Sequence, residues 1–167
     1  MDMRFDKLWV GMLLLLLSMV CAFAFVQIYK SEREAIKEIE IPSNAITVAF
    51  PGDDLYKTWL DSFSLSDGTV SAEGWAMKVG DNMLSSYVNS AFLLKSEENV
   101  YYKVKTVKVT TSSVTNYFAD GTDYSNAGFQ AWGSMKNLPK GKYQACLLFI
   151  EKDGTAHLFV YDQYVEW

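Results

Sequence analysis

Side chains with catalytic potential are few in this sequence. The one histidine, His157, lies in a run of apolar residues that predicts a β-strand. A general base needs a nucleophile and an orienting acid within hydrogen-bond reach, and no motif such as GxSxG supplies them. The paired carboxylates Asp53-Asp54 and Glu97-Glu98 are sequence neighbours, so their side chains diverge in a strand or turn. The sequence therefore predicts a structural histidine and a protein that is not an enzyme.

A polar loop offers oxygen atoms that hard cations prefer. Its spacing matches no full EF-hand, because the terminal Glu is missing. An ordinary loop is the favoured interpretation, calcium binding stays open, and no cofactor is predicted. The oxygen-bearing residues of this loop are Asp120, Thr122, Asp123, Ser125 and Asn126.

Aromatic rings are the remaining candidates for ligand binding. The chain has 5 Trp and 10 Tyr residues, and flat rings suit the apolar faces of sugars, although core packing is their usual role in a β domain. Trp75 lies between Gly74 and Ala76 and is expected in the core. Trp132 and Tyr124 lie in or beside the polar loop and are expected to be exposed. With Asp123 they form the predicted ligand-binding site, with a surface glycan as the ligand.

The elements that must position these residues are mostly strands. From residue 45 onward, Val, Thr, Phe, Tyr and Trp occur in short runs separated by turn dipeptides. This pattern predicts an all-β fold, an antiparallel β-sandwich of Ig-like or jelly-roll-like type, with one short helix at Ser112–Phe118. The predicted strands are Ala45–Phe50, Trp59–Ser66, Thr69–Met77, Ser90–Leu94, Val100–Val109, Gly128–Ser134, Tyr143–Ile150 and Ala156–Tyr164.

Two Asp-Gly dipeptides predict hairpins, because both central residues of a type I′ turn need positive φ. Asp67-Gly68 pairs Leu65 with Val70 and Phe63 with Ala72. One face of that hairpin is apolar and the other carries serines and Glu73.

The second dipeptide, Asp153-Gly154, places Ile150 opposite His157, and in the same register Leu148 opposite Phe159 and Cys146 opposite Tyr161. Both faces of this hairpin are apolar. Either the chain itself covers the second face or that face is a docking surface for a partner. Cover by the chain is favoured, with the helix Ser112–Phe118 as the cover.

The N-terminal region contains an apolar run, Leu8 to Ile28, without a charged residue. As a helix, 21 residues span about 31 Å, the thickness of a bilayer's hydrocarbon core. Trp9 and Tyr29 lie near its ends, where aromatic rings favour the membrane interface. A retained anchor is favoured, while Ala22-Phe23-Ala24 leaves cleavage by signal peptidase open.

The charged stretch after the apolar run predicts a helical stalk. Glu34 and Lys37 lie three residues apart, which pairs opposite charges on one helical face, and Pro42 ends the helix. The predicted organisation is a cytoplasmic tail over residues 1–7, a transmembrane anchor over 8–28, a stalk or linker over 29–44 and an extracytoplasmic domain over 45–167. The protein is thus expected to be single-pass, in the cell membrane, with its C-terminal domain outside.

Charge and cysteine content exclude other classes. The formal net charge is −5, which argues against a nucleic-acid partner, because phosphate binding depends on clustered Lys and Arg. Cys21 lies in the apolar run and Cys146 in a predicted strand, so no disulfide is expected.

Several short stretches resemble a small extracytoplasmic β-sandwich domain of bacterial membrane proteins that act in cell-surface polysaccharide biosynthesis. The similarity covers roughly Trp59 to Tyr164 and omits an Arg-x-Asp-Val motif, in whose place Thr111 to Val114 stands. It implies a membrane-bound accessory role and carries over no catalytic residue. The stretches are Gly74-Trp75-Ala76, Leu93-Leu94-Lys95, Val100-Tyr101-Tyr102, Val114 to Phe118, Ala127-Gly128-Phe129 and Leu138 to Tyr143.

Three functions remain open at this stage. The leading hypothesis is a membrane-anchored, non-catalytic module of envelope polysaccharide assembly, acting as an accessory subunit or by contacting glycan. Its expected partners are a polytopic membrane glycosyltransferase or transporter and the surface glycan. The alternatives are a pilin-like or scaffold protein and a hydrolase whose acidic pair, Asp123 and Asp162, meets only on folding.

Overall fold

The computed structural model describes residues 16–23, 35–82 and 87–167. The chain divides into two compact units, Met1–Glu34 and Ala35–Trp167. In the first unit, residues 16–23 are helical. Most of the predicted span Leu8 to Ile28 lies outside the described residues. Within the part that is described, no helix has the length and apolarity needed to cross a membrane.

The second unit consists mainly of strands, with the short helix Ser112–Phe118 between the seventh and eighth strands. The eight predicted strands are all present, although Val100–Val109 is split at Val104, whose backbone N–H donates to the carbonyl of Phe92 at 2.9 Å. The strands are β1 Lys37–Ile39, β2 Ile46–Ala49, β3 Tyr56–Ser66, β4 Thr69–Lys78, β5 Tyr87–Ser96, β6 Tyr101–Lys103, β7 Lys105–Val109, β8 Gly128–Ser134, β9 Lys142–Glu151 and β10 Ala156–Glu166.

These strands form a six-stranded sheet, ordered β1-β6-β5-β9-β10-β2, and a four-stranded sheet, ordered β3-β4-β8-β7. Their inner faces share one apolar core, to which the first sheet contributes Phe92, Leu147 and Phe159 and the second contributes Leu60 and Phe129. The predicted β-sandwich is thus confirmed at this level. Pairing is antiparallel except between β2 and β10, which run parallel.

The first hairpin has the predicted register. Leu65 pairs with Val70 and Phe63 with Ala72, and the turn residues Asp67 and Gly68 have φ of 50° and 74°. Both turn residues are left-handed, as a type I′ turn requires.

The predicted register of the second hairpin is wrong by one residue. Ile150 pairs with Ala156, and His157 lies opposite Phe149. The cause is a longer turn: the Glu151 N–H donates to Thr155 O and the Gly154 N–H to Glu151 O, so three residues separate the paired ends instead of two. Because side chains alternate along a strand, this shift exchanges the faces of one strand relative to its partner.

The outer face of the six-stranded sheet is apolar and covered. Its buried residues form a second cluster around Leu93, Leu148 and Leu158, and Ile39 and Ile41 pack against that cluster. Ile41 belongs to the connection between β1 and β2, which lie at opposite edges of the sheet. The chain does cover this hairpin face itself, but the predicted cover, the helix Ser112–Phe118, packs elsewhere. Its Phe118 contacts Trp75 of the four-stranded sheet.

The helical stalk predicted over residues 29–44 is wrong where the structure describes it. Lys37–Ile39 is strand β1, which pairs with β6, and Ala35 forms a bridge with Ser134. Ile36 is buried in the core shared by the two sheets. Apolar burial on both sides of this segment outweighs the weak helix preference of an alternating charge pattern. The β unit therefore begins at Ala35 and not at residue 45; residues 29–34 lie outside the described residues.

Candidate functional site: an aromatic groove on the four-stranded sheet

The outer face of the four-stranded sheet carries two tryptophans side by side. Trp59 of β3 pairs directly with Trp75 of β4. Lys57 and Trp59 alternate with the buried residues Tyr56 and Thr58, so they point away from the core. The side chain of Trp59 is 48% exposed.

A β-bulge next to Trp59 determines which way this ring points. The register shifts between Leu60 and Ser62, so Asp61 is an extra residue on β3. Gly74 makes the shift possible, because a Cβ there would lie 2.3 Å from the Trp59 carbonyl oxygen. Bulges reorient side chains, and here the bulge leaves both Trp59 and Asp61 on the outer face.

The short helix forms the opposite wall. Val114 anchors it in the core at 2% exposure, and Phe118 meets the Trp75 ring edge-on with centroids 5.9 Å apart. Tyr117 packs against Phe118 at 5.1 Å and remains 79% exposed. Gly128 of β8 pairs with Trp75, and a Cβ there would lie 2.6 Å from the Val109 carbonyl oxygen and 3.1 Å from Cγ2 of Thr111, the residue before the helix.

Between helix and sheet lies a groove of about 640 Å³, which we call the aromatic groove. Its volume is within the range of small-molecule sites, which are mostly apolar with a few polar groups. The residues that line it are Pro51, Lys57, Thr58, Trp59, Asp61, Trp75, Ser113, Val114, Tyr117 and Phe118.

The groove has opposite charges along β3. Lys57 and Asp61 flank Trp59, and neither side chain forms a hydrogen bond or ion pair with another described residue. Partial burial, and then the nearby Glu73 carboxylate, raise the pKa of Asp61. Glu73 itself accepts a hydrogen bond from Gln130 Nε2 at 2.5 Å. No described residue therefore donates a hydrogen bond to the Asp61 carboxylate.

Tyr124 does not have the exposure predicted from the sequence. It is 0% exposed and packs against Phe118 with ring centroids 5.8 Å apart. Its hydroxyl donates to Asp120 Oδ2 at 2.6 Å and accepts from the Gly80 N–H at 2.8 Å. The Tyr124 ring thus packs against the helix residue Phe118 and has no exposed face that a ligand could contact.

Asp123 and the rest of the polar loop hold the backbone together. Asp123 Oδ1 accepts from the Ser125 N–H at 2.9 Å and from Thr115 Oγ1 at 3.3 Å. The hydrogen bond from the Ser125 backbone N–H is the main cause that lowers the pKa of Asp123, and a hydrogen bond from the Tyr124 hydroxyl lowers that of Asp120. Among the residues with described positions, no three of His, Cys, Asp and Glu are grouped as a metal site.

Trp132 lies on the same outer face as Trp59 and Trp75 but outside the groove. It pairs with Ser71 and Lys105, and the Lys105 ammonium lies 4.7 Å from its ring centroid. Half-buried and covered by a cation, this ring differs from the open rings of the groove.

The acidic pair Asp123 and Asp162 is not joined by any contact. Asp162 is exposed on β10 and forms no hydrogen bond or ion pair with a described residue.

His157 belongs instead to a buried polar cluster between the two sheets. Glu151 of β9 accepts hydrogen bonds from the hydroxyl of Tyr56 and, at 2.8 Å, from Lys78 Nζ. His157 Nε2 lies 3.1 Å from Glu151 Oε1, and the His157 ring lies 4.0 Å from the Tyr56 ring. With 2% exposure, His157 is packed in the core as predicted. The cluster ties the sheets together behind the groove.

Comparison with known proteins adds little to this geometry. No family model matches the chain, and no curated protein matches it. A solved structure, the N-terminal domain of PorA, is 11% identical, with 77% of this chain and 96% of that chain covered, at a TM-score of 0.20. A TM-score this low carries no argument about the fold or the site.

The sequence prediction missed the residues that form the groove. Trp75 was expected in the core, yet the first hairpin's register already placed Ser71 and Glu73 on the wet face, and Trp75 follows by alternation. No comparable signal existed for Trp59. With Phe63 and Leu65 facing inward, unbroken alternation would direct Trp59 inward too, and only the bulge reverses it.

Proposed function

We propose that this protein is a membrane-anchored, non-catalytic module that contacts a glycan through the aromatic groove during assembly of an envelope polysaccharide. The observation that carries the proposal is the pair of open rings, Trp59 and Tyr117, which are 48% and 79% exposed. Large aromatic side chains usually bury themselves in a β domain. Leaving them open on both walls of one groove favours a ligand with flat apolar faces.

The groove's polar residues fit a sugar better than a purely apolar ligand. Asp61, Lys57 and the Ser113 hydroxyl lie around the rings. A pyranose has apolar C–H faces for stacking and a rim of hydroxyl groups for hydrogen bonds. Asp61 has free acceptor capacity for that rim, since no described residue donates to it.

The membrane role is supported by the sequence. The uncharged run Leu8 to Ile28 is long enough to anchor the chain in a bilayer. The resemblance to domains of polysaccharide biosynthesis proteins supports placement of the β unit outside the cell and a polytopic glycosyltransferase or transporter as partner.

Glycan binding is tested with the full chain in detergent micelles on an array of bacterial oligosaccharides. We expect binding that falls about five- to tenfold in Trp59→Ala, since an aromatic contact contributes about 1–1.5 kcal/mol. Trp132→Ala is the matched control, because it removes a tryptophan from the same outer face outside the groove. Equal loss in both variants, or no binding by the wild type, would contradict the proposal.

The accessory role needs a cellular test. A deletion strain should lose surface glycan, and wild-type but not Trp59→Ala protein should restore it. Crosslinking in native membranes should capture a polytopic glycosyltransferase or transporter. Unchanged glycan amount and composition in the deletion strain would exclude a role in polysaccharide assembly.

A further inference from the structure

The two ends of the aromatic groove differ in charge, and this difference distinguishes between classes of glycan. At one end, Asp61 lines the groove and Glu73 lies close enough to raise its pKa. At the other end is Lys57. Lys57 and Asp61 are four residues apart on one bulged strand, so their Cα atoms are separated by no more than about 13 Å. That length accommodates a short oligosaccharide segment, with one end near the negative charge of Asp61 and the other near the positive charge of Lys57.

Asp61 is the carboxylate that lines the groove, and it can accept a ligand's hydrogen bond or pair with its charge. Its carboxylate has no hydrogen bond or ion pair with another described residue. Burial and a neighbouring carboxylate both disfavour its charged form. The attraction of a cation bound beside it would offset both effects, whereas a neutral hydroxyl would only donate a hydrogen bond. The surrounding rings of Trp59, Trp75 and Phe118 add a further attraction for a cation, because the face of an aromatic ring is negative.

We infer that the aromatic groove selects a glycan that carries a free amino group, with the sugar over Trp59 and its ammonium directed to Asp61. This rests on the proposed glycan-binding function and adds the class of sugar. Lys57 sets the direction of binding, because it repels an ammonium from the opposite end. An N-acetylated sugar keeps the stacking face and loses the charge, so it binds more weakly.

The test compares two probes, a tetrasaccharide of glucosamine and its fully N-acetylated counterpart, by calorimetry with the full chain in micelles. We expect the free-amine probe to bind about tenfold more tightly, the low end for a hydrogen bond between charged groups. Asp61→Asn should remove that difference, because it weakens the free-amine probe about tenfold and the acetylated probe, which loses only a neutral hydrogen bond, much less. High salt should weaken only the free-amine probe, because screening acts on the charge pair.

Asp162→Asn is the matched control, since Asp162 is also an exposed carboxylate that no described residue bonds or pairs with. It should leave the tenfold preference intact. Equal affinity for the two probes, or a preference that survives Asp61→Asn, would overturn the amino-sugar inference while glycan binding stands. Binding of neither probe, with no response of the oligosaccharide array, would overturn both proposals.

Discussion

The outer faces of the two sheets differ, because one is covered by the chain and the other is open. The six-stranded sheet has an apolar outer face in which Leu93 is 0% and Leu148 is 6% exposed, and Ile41 of the β1–β2 connection packs on it. On the outer side of the four-stranded sheet, Trp59 and the helix residue Tyr117 are open beside Lys57 and Asp61, whose side chains pair with no described residue. One face is closed by the chain's own connection, and the other is held open by a bulge and a short helix.

The difference indicates where function lies. A face covered by the chain itself stabilises the fold and is not available for a partner. The sequence pattern left both outcomes open, because strands with two apolar faces, such as β9 and β10, fit either cover by the chain or a docking surface. An apolar stretch of sequence therefore indicates a binding surface only after its cover has been identified.

The largest expected effect comes from the covered face. Leu148→Ala should lower the free energy of unfolding by about 2–5 kcal/mol, because it leaves a cavity between Ala91 and Leu158, the residues paired with it on either side. Chemical denaturation followed by circular dichroism measures the change. Ile46→Ala is the control on the same sheet, since Ile46 is 54% exposed. A loss below about 1 kcal/mol in Leu148→Ala would mean that this face is not closely packed.

The next largest effect should come from the cluster that joins the sheets. Burial alone would raise the pKa of Glu151, but hydrogen bonds from Lys78 and Tyr56 outweigh it and lower the pKa. A lowered pKa stabilises the fold above the carboxyl's ordinary pKa, and that stability is lost as the pH falls through the folded-state value. Glu151→Gln should cost about 1–3 kcal/mol at neutral pH. The difference in unfolding free energy between this variant and the wild type should disappear in acid. A difference that is constant with pH would exclude the lowered pKa of Glu151 as its cause.

The same cluster predicts a limit in alkali. Burial, and then the hydrogen bond to Glu151, raise the pKa of Tyr56 to about 12. A raised pKa stabilises the fold below the ordinary tyrosine value, about 10, and the stability is lost as the pH rises toward the folded-state value. Burial raises the pKa of Tyr161 as well. Tyrosine absorbance should therefore show ionisation of these groups only together with unfolding, whereas Tyr56→Phe should shift the unfolding midpoint to higher pH.

A smaller effect is expected from the cover itself. Ile41→Ser should reduce stability by about 1 kcal/mol, because Ile41 is only partly buried against the outer cluster. It should also increase binding of a hydrophobic dye by exposing the face beneath. Ser43 lies in the same connection and is exposed, so Ser43→Ala should change neither the stability nor the dye binding. An unchanged dye signal would show that the connection is not what shields this face.

Local sequence signals predicted the elements well and their partners less well. Asp67-Gly68 fixed its hairpin because two adjacent left-handed residues permit one register. Asp153-Gly154 looked the same, but its turn is one residue longer, since Gly154 bonds back to Glu151. Strand Lys37–Ile39 was missed, because its pairing with β6 is a long-range contact that three residues do not encode.

The candidate site was less predictable than the fold. Tyr124 was expected in an exposed loop, and only the packed structure shows its ring enclosed behind Phe118. Trp59 reaches the surface through a bulge that depends on Gly74 in the neighbouring strand. A bulge is a property of two strands together, so a single run of alternating residues does not reveal it.

The smallest expected effect on stability, and the one that separates the two faces most clearly, comes from Trp59→Ala. This ring is half exposed and contacts Phe50 with centroids 5.3 Å apart, so its loss should cost about 1 kcal/mol or less. Glycan affinity should nevertheless fall about five- to tenfold, whereas a restored ring in Trp59→Phe should recover part of it. Leu148→Ala should behave in the opposite way, with a large loss of stability and an unchanged dissociation constant below its unfolding temperature. If both variants changed stability and affinity in proportion, binding would follow folding alone, and the distinction between a closed structural face and an open binding face would fail.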